Sequence, residues 1–219
     1  MDDIVKETVI LETTGVFSED QTKRYELTKE YIPSVDGRRI SVIMLNPASK
    51  KIQETDTTVN NLINRLSGEG YTTITILNLV PDIMSKLKPS KVDNLEANFE
   101  YIEEVLKRNF DKILIGYGNS FIGNEVVERA KYRLNQILKE YEDSLVEISD
   151  EFDTFECSAM HPLFASLRLD KWILKPYRLP KQELEPAKGK AKIEEKQLKS
   201  GLQRRHVKEN DKDQAKNKE

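Results

Sequence analysis

Apolar residues cluster in four short runs, and each run ends close to a glycine, a proline or an asparagine. Three runs are strong and the last is weaker; they cover residues 39–45, 72–80, 112–115 and 152–160. Short continuous apolar runs bounded by turn-forming residues are typical of strands that are buried on both faces of a parallel sheet. The pattern therefore predicts four central strands.

Segments with helical periodicity separate these runs. Residues 56–67, 93–109 and 121–141 each repeat apolar side chains at intervals of three and four, and Asp56 stands where an N-cap is expected. Strands that alternate with helices predict an open α/β sheet with right-handed crossovers.

The two ends of the chain differ from this alternating pattern. Residues 8–13 and 23–28 flank a polar loop and predict a hairpin at the sheet edge. Beyond Tyr177 the sequence is rich in Lys, Glu and Gln and poor in aromatic and β-branched residues, which disfavours a packed core. We therefore expect an α/β domain at residues 1–180 and a charged, disordered tail at residues 181–219, which is either simply solvated or a weak electrostatic tether.

The charge distribution is uneven. The chain has 35 Lys and Arg against 38 Asp and Glu, yet the tail alone has 12 basic and 8 acidic residues, so residues 1–180 carry a net charge of −7. This balance argues against a protein that grips nucleic acid over a broad basic surface. A local basic cleft is compatible with it, and five basic residues follow the predicted strands closely: Lys50, Lys51, Lys86, Lys88 and Arg168.

Other classes of protein fit the composition poorly. The sequence has no apolar run long enough to span a membrane and no leader-like segment, so we expect a cytoplasmic protein without a membrane partner. Cys157 is the single cysteine, and only two histidines accompany it. This count favours neither a disulfide framework nor a zinc site, and we expect no metal and no cofactor.

Polar residues follow the predicted strands, where ligands bind in open α/β sheets. Asn46 precedes a proline and is either a turn residue or an amide that points into a cleft. Asn78 lies in an apolar strand, so its amide must bond the fold's own backbone or a ligand. His161 is either structural or a donor to a developing oxyanion. Leu163 and Phe164 follow it, either in the core or as a wedge for a base stack.

The turn at residues 116–120, with the sequence GYGNS, follows the third run. It lacks both the Lys-Ser/Thr of a P-loop and the third glycine of a dinucleotide fingerprint. Its glycines permit a close backbone approach, and the amides that lead into the next helix are able to hold one phosphate.

Together these motifs resemble a bacterial and mobile-element domain family of unknown function. The matching patterns are F-S-x-D at residues 17–20, R-Y-x-L at 24–27, M-L-N-P-A at 44–48, D-x-T at 56–58, L-N-L at 77–79, Y-G at 117–118 and H-P-L at 161–163. They extend over most of the predicted α/β domain.

The same order is also similar, more remotely, to the uracil-DNA glycosylase superfamily. Residues 44–48 resemble its G-I-N-P-G or G-Q-D-P-Y motif, residues 76–78 its L-L-N core, residues 115–116 its W-G or L-G turn and residues 161–163 its H-P-S loop. The resemblance implies a three-layer α/β sandwich around a mainly parallel four-stranded sheet of uracil-DNA glycosylase type, with the N-terminal hairpin added.

The resemblance also implies roles for residues. Asn46 would orient the attacking water, Asn78 would read the edge of a flipped uracil, and His161 would stabilise the uracil anion. The remaining implied substrate contacts are Pro47, Leu45 and Gly116, and the implied DNA contacts are Leu163, Phe164, Ser120 and Arg168.

The match departs from the superfamily at Met44, Ala48 and Leu163, and an amide at position 46 orients water but cannot act as a general base. Activity is thus expected to be modest. The implied protein is a monomer that acts on single- or double-stranded uracil-containing DNA. A protein inhibitor or a replication protein is an expected further partner. Two other hypotheses stay open: a module of this fold that binds nucleic acid or nucleotides without catalysis, and an interaction protein whose acidic body contacts replication or repair proteins.

Overall fold

Seven strands form one mixed β-sheet in the computed structural model, which describes residues 4–32, 37–154 and 157–180. Their bounds are β1 Ile10–Phe17, β2 Arg24–Ile32, β3 Arg38–Met44, β4 Tyr71–Asn78, β5 Lys112–Ile115, β6 Leu145–Asp150 and β7 Trp172–Pro176. The helices are α1 Thr57–Gly68, α2 Glu96–Leu106, α3 Glu125–Leu138 and α4 Pro162–Arg168, with short 3-10 segments at Pro89–Lys91 and Lys139–Ser144. The tail expected at residues 181–219 lies outside the described residues.

The centre of the sheet is parallel. The strand order is β1-β2-β4-β3-β5-β6-β7, in which β4, β3, β5 and β6 are parallel neighbours. β1 and β2 extend one side as an antiparallel hairpin, and β7 closes the other side antiparallel to β6. The α/β class and the N-terminal edge hairpin are thus confirmed. The described sheet has seven strands, because β7 joins the four parallel strands and the hairpin.

Alternation along the central strands feeds two cores. In β3, Ile43 packs on one face of the sheet with α2 and α3, whereas Val42 packs on the opposite face with α1 and α4. Successive residues of a strand point to opposite faces, so a strand that is covered by helices on both sides needs apolar side chains at every position. This explains why the central strands appear in the sequence as continuous apolar runs.

Our prediction of a strand at residues 152–160 is wrong. The fourth parallel strand is β6, and the described residues of 152–160 form turns. Phe152 is 83% exposed, and the chain after it is held to β6 by a side chain, since the Glu147 carboxylate accepts the N–H of Ala159 at 2.7 Å. Glu147 and Ser149 are buried but polar, so they interrupt the apolar pattern of β6, and for this reason no strand was predicted there.

The N-terminal hairpin does more than extend the sheet. Because β2 runs antiparallel to β4, its first residue lies beside the segment that follows β4, and the backbone N–H of Arg24 donates to the Pro81 carbonyl at 2.9 Å. Arg24 is therefore carried to the carboxyl edge of the parallel strands, where it is 6% exposed.

Helix α1 begins as the sequence predicts. Asp56 has an extended backbone, and its Oδ1 accepts the N–H of Val59 at 2.9 Å. The helix buries Leu62 and Leu66 against the sheet face that carries Val42. Among the described residues, no helix is both long enough and apolar enough to cross a lipid bilayer.

We expect the Asp56→Ala substitution to lower the free energy of unfolding by about 1 kcal/mol, because it leaves the Val59 N–H of the first helical turn without its acceptor. Asp56→Asn is the matched control, since it keeps an oxygen at the same place and should cost a few tenths of that. Urea denaturation followed by circular dichroism measures both. Equal losses in the two variants would contradict the cap as the cause.

Candidate functional site

A cavity of about 360 Å³ opens at the carboxyl edge of the parallel strands. Its position is a topological switch point, because β4 and β5 flank β3 on opposite sides and the connections that follow β3 and β5 cover opposite faces of the sheet. The lining residues come from the loop after β3, the start of α1, the loop after β4, the start of β2 and the start of α4. They are Arg24, Met44, Leu45, Asn46, Pro47, Ala48, Asp56, Thr57, Thr58, Val59, Met84, Ser85, His161 and Leu163.

The structure brings together half of the site residues expected from the sequence. Leu45, Asn46, Pro47, His161 and Leu163 all line this cavity. Asn78, Gly116, Ser120, Phe164 and Arg168 do not.

Asn46 is anchored through its nitrogen. Its Nδ2 donates to the carbonyl of Met84 at 2.7 Å and to that of Pro47 at 3.1 Å. Since the backbone N–H of Met84 also donates to the Pro47 carbonyl, at 2.9 Å, the loops after β3 and β4 hold each other. Among the described residues no group donates to Asn46 Oδ1, so this oxygen is left as a hydrogen-bond acceptor.

His161 caps helix α4 with its ring. Nδ1 accepts the backbone N–H of Leu163 at 3.3 Å. Burial lowers the pKa of His161, and the nearby charge of Asp56 offsets part of this change. The neutral ring is thus favoured, and because Nδ1 is an acceptor, its hydrogen belongs on Nε2. The arrangement yields a neutral N–H donor.

The glycine turn after β5 supports the His161 loop. Gly118 has φ +73° and its N–H donates to the Ala159 carbonyl at 2.8 Å; a Cβ there would lie 3.2 Å from the Cβ of His161. A Cβ on Gly116 would lie 3.2 Å from Pro162 Cδ. Both glycines therefore permit the close approach of two loops, and Gly116 contacts the protein itself rather than the cavity.

Asn78 ends β4 as a fully buried amide. It is 1% exposed, and neither its Nδ2 nor its Oδ1 has a hydrogen-bond partner in the part of the chain that the structure describes. In the β3–β4 register it lies beside Met44, which lines the cavity. From the opposite face, Asn98 Nδ2 donates to the backbone carbonyls of Asn78 and Leu79, at 3.0 and 3.3 Å.

The expected DNA contacts lie around α4 and the glycine turn. Ser120 is exposed after β5. Phe164 is 37% exposed, and the guanidinium carbon of Arg168 lies 4.9 Å from its ring centroid. Arg168 also lines a second surface cavity, together with Phe152 and Lys171.

Two charged residues of the cavity were missed as site residues. Asp56 was predicted as a helix cap and as part of the D-x-T pattern, and Arg24 as part of the R-Y-x-L pattern. Burial lowers the pKa of Arg24 to about 10, and the charge of Asp56 offsets part of this effect, so the guanidinium remains positive at neutral pH. No sequence signal identified Arg24 as a site residue, because the antiparallel pairing of β2 with β4 that carries it to this edge is a feature of the assembled sheet. Among the described residues, no group of three or more His, Cys, Asp or Glu is arranged to hold a metal ion.

The chain belongs to a protein family described as "Protein of unknown function (DUF1643)", whose model matches residues 24–163. The matched segment runs from Arg24 to Leu163 and so includes every residue that lines the cavity. A search of curated proteins finds no match.

We expect Gly118→Ala to destabilise the fold by about 1–2 kcal/mol through its left-handed backbone, and further through the contact with His161. Gly70→Ala is the matched control, because Gly70 has φ +87° but no heavy atom within 4 Å of the added Cβ. Urea denaturation measures the stability, and the NMR signals of the imidazole report its displacement. Equal losses and an unmoved ring would contradict the supporting role of Gly118.

The stability of the fold should fall in acid through His161. Burial lowers its pKa in the folded state below the ordinary value of 6.5, so the unfolded chain takes up this proton more readily as the pH decreases. The stability contributed by the neutral ring is present above about pH 6.5 and is lost at lower pH. His161→Asn keeps a capping oxygen and does not titrate. The stability of the wild type relative to this variant should therefore decrease from about pH 7.5 to pH 5; a constant difference in urea denaturation would contradict the assignment.

Proposed function

We propose that this protein, as a member of that family, is a DNA glycosylase that hydrolyses the N-glycosidic bond of deoxyuridine in DNA. One observation carries the proposal: Asn46 and His161 line the same cavity at the carboxyl edge of parallel strands. No described residue donates to Asn46 Oδ1, and the neutral His161 ring accepts at Nδ1, which leaves Nε2–H as a donor. A water acceptor and a neutral donor are the two groups that the reaction requires on opposite sides of the breaking bond.

We also infer that β4, β3, β5 and β6 correspond to the four-stranded parallel sheet of the uracil-DNA glycosylase superfamily. The order of the motifs along these strands supports this, since residues 44–48, 76–78, 115–116 and 161–163 resemble the four motifs of that superfamily in sequence order. In this interpretation β1, β2 and β7 are additions at the two edges.

The reaction proceeds from a nucleotide that has left the base stack, at a cost of a few kcal/mol. The bond between C1′ and N1 breaks, and its electron pair goes to the base, which leaves as the uracil anion. His161 Nε2–H donates to O2 of this anion as its charge develops. Asn46 Oδ1 accepts a hydrogen bond from a water whose oxygen attacks C1′, and the proton that this water loses passes to solvent.

Asn78 would read the base. Its amide offers one acceptor for the N3–H of uracil and one donor for O4, and its two atoms have no partner among the described residues. An amide of this kind costs about 1–3 kcal/mol when it is left unpaired. Because Asn78 is beside the cavity wall and does not line it, we infer that Met44 moves aside when the base enters.

DNA contacts would come from the α4 region. Leu163 lines the cavity and is suited to fill the gap in the base stack, with Phe164 beside it. Arg168 and Ser120 are the further contacts that we propose, and both are exposed.

The alternative is a module of the same fold that binds a nucleotide or nucleic acid without catalysis. The enclosure of Asn78 favours it, because the residue that would read uracil is 1% exposed and is absent from the cavity lining. Binding of uracil-containing DNA without release of uracil would support this alternative.

We expect purified protein to release uracil from single- or double-stranded oligonucleotides and to leave sites that alkali cleaves. Asn78→Ala and His161→Ala should each lower the single-turnover rate by about 100-fold or more, because each removes a hydrogen bond to the base. Asn64→Ala, which changes an exposed asparagine of α1, is the matched control and should leave the rate unchanged. No release by folded protein in molar excess over uracil DNA would contradict the proposal; a panel of damaged bases then tests other substrates.

A further inference from the structure

Arg24 is a buried arginine that lines the cavity, and few of its N–H groups have hydrogen-bond acceptors. It is 6% exposed, its Nη1 donates to the Ser49 carbonyl at 3.3 Å, and its buried Nε donates to no described residue. No carboxylate among the described residues forms an ion pair with it. Arg108 makes the contrast clear, since its guanidinium lies 2.9 Å from the carboxylate of Glu26.

The surroundings of Arg24 add positive charge. Lys29 is 3% exposed on the same strand, and its Nζ donates to two neutral groups among the described residues, the Thr13 hydroxyl at 2.8 Å and the Ile52 carbonyl at 3.2 Å. Burial lowers the pKa of Lys29, and the charge of Arg24 lowers it further. The carboxylate whose charge raises the pKa of Arg24 belongs to Asp56. Asp56 is exposed, and its Oδ1 accepts the N–H of Val59 in the helix cap.

Helix α1 presents further donors to the same cavity. Asp56 caps Val59 and its backbone carbonyl accepts the N–H of Asn60, so the N–H groups of Thr57 and Thr58 have no acceptor within the helix. Both threonines line the cavity with Arg24. A guanidinium fork and the first turn of a helix are two groups that proteins use to hold phosphate.

We propose that Arg24 and the first turn of α1 form a binding site for the phosphate group of the nucleotide that occupies the cavity. A buried cation without an ion pair is costly, and an anion that accepts from its free N–H groups removes that cost. Thr57 and Thr58 complete the set with their backbone N–H groups and hydroxyls. The identity of the occupant as a nucleotide rests on the function proposed above; the anion site itself rests on Arg24 and α1.

The phosphate has two possible sources, a phosphodiester of DNA or the phosphomonoester of a free nucleotide. Calorimetric titration of the full-length protein with deoxyuridine, dUMP and inorganic phosphate tests the monoester. An oligonucleotide with one 2′-fluorinated deoxyuridine tests the diester, because the fluorine slows glycosidic cleavage. Its affinity is compared with that of the same strand in which uncharged methylphosphonates replace the phosphates on both sides of that nucleotide.

We expect one of the two charged ligands to bind at least about tenfold more tightly than its uncharged counterpart. Arg24→Gln should abolish this preference and Arg24→Lys should retain part of it. Asp56→Asn, which removes a nearby negative charge and keeps the cap, should increase it. Arg129→Gln, which changes an exposed arginine of α3, is the matched control and should leave it unchanged.

A second measurement needs no variant at the buried arginine. In the wild-type protein, the amide NMR signals of Thr57 and Thr58 should shift on titration with the charged ligand and stay in place with the uncharged one. The proposal is overturned if these signals do not move, if Arg24→Gln keeps the preference, or if neither charged ligand binds at millimolar concentration.

Failure of this site and failure of the glycosylase proposal are distinguishable. An Arg24-dependent preference without uracil release would leave the phosphate site standing and remove the catalytic function. Uracil release with no such preference would do the reverse.

Discussion

The parallel hydrogen bonding of β3 with both β4 and β5 is the constraint on which the site depends. Beyond the last paired residues the ladder continues into the loops: the N–H of Leu79 donates to the Met44 carbonyl at 2.8 Å, and that of Val80 to the Leu45 carbonyl at 2.9 Å. On the other side, the N–H of Gly116 donates to the Ile43 carbonyl at 2.9 Å. Three loops therefore leave the sheet side by side in a defined register, and a shift of one residue would turn Asn46 and Asn78 to the opposite faces.

Polar groups at this edge differ in how far the fold satisfies them. Asn46 Nδ2 donates to backbone carbonyls, and His161 Nδ1 accepts a backbone N–H. These bonds fix the orientation of Asn46 Oδ1 and His161 Nε2. Asn78 and Arg24 are more deeply buried and have unpaired polar atoms, which opposes folding. Asn78 lies beside the cavity and Arg24 lines it, so these unpaired atoms support the base-reading role that we propose for Asn78 and the phosphate site that we propose for Arg24.

Much of the fold was predictable from local pattern. Helix α1 was recognised from its cap and from the apolar face at Val59, Leu62 and Leu66, because both signals lie within one segment of chain. The three strongest apolar runs were recognised as strands for the same reason. β6 was missed because two polar residues, Glu147 and Ser149, interrupt its apolar pattern. The burial of Glu147 depends on hydrogen bonds from Ser158 and Ala159, which lie more than ten residues further along the chain, whereas Ser149 donates to the nearby Asp153.

In the candidate site, too, some residues could be predicted from local pattern and others could not. The sequence placed Asn46 at this rim for a correct reason, since Asn46 follows β3 closely and the carboxyl ends of parallel strands share an edge. His161 and Leu163 were expected there as the end of a strand at residues 152–160. They line the cavity although that strand does not form, because they open helix α4 after β6 and the turns that follow it. The position of Arg24 in the cavity is apparent only from the assembled sheet. This residue stands at the beginning of a strand, and it reaches the carboxyl edge because β2 pairs antiparallel with β4, some fifty residues away in the chain. Local patterns record which residues prefer to be buried, whereas the pairing of distant strands establishes which of them lie together.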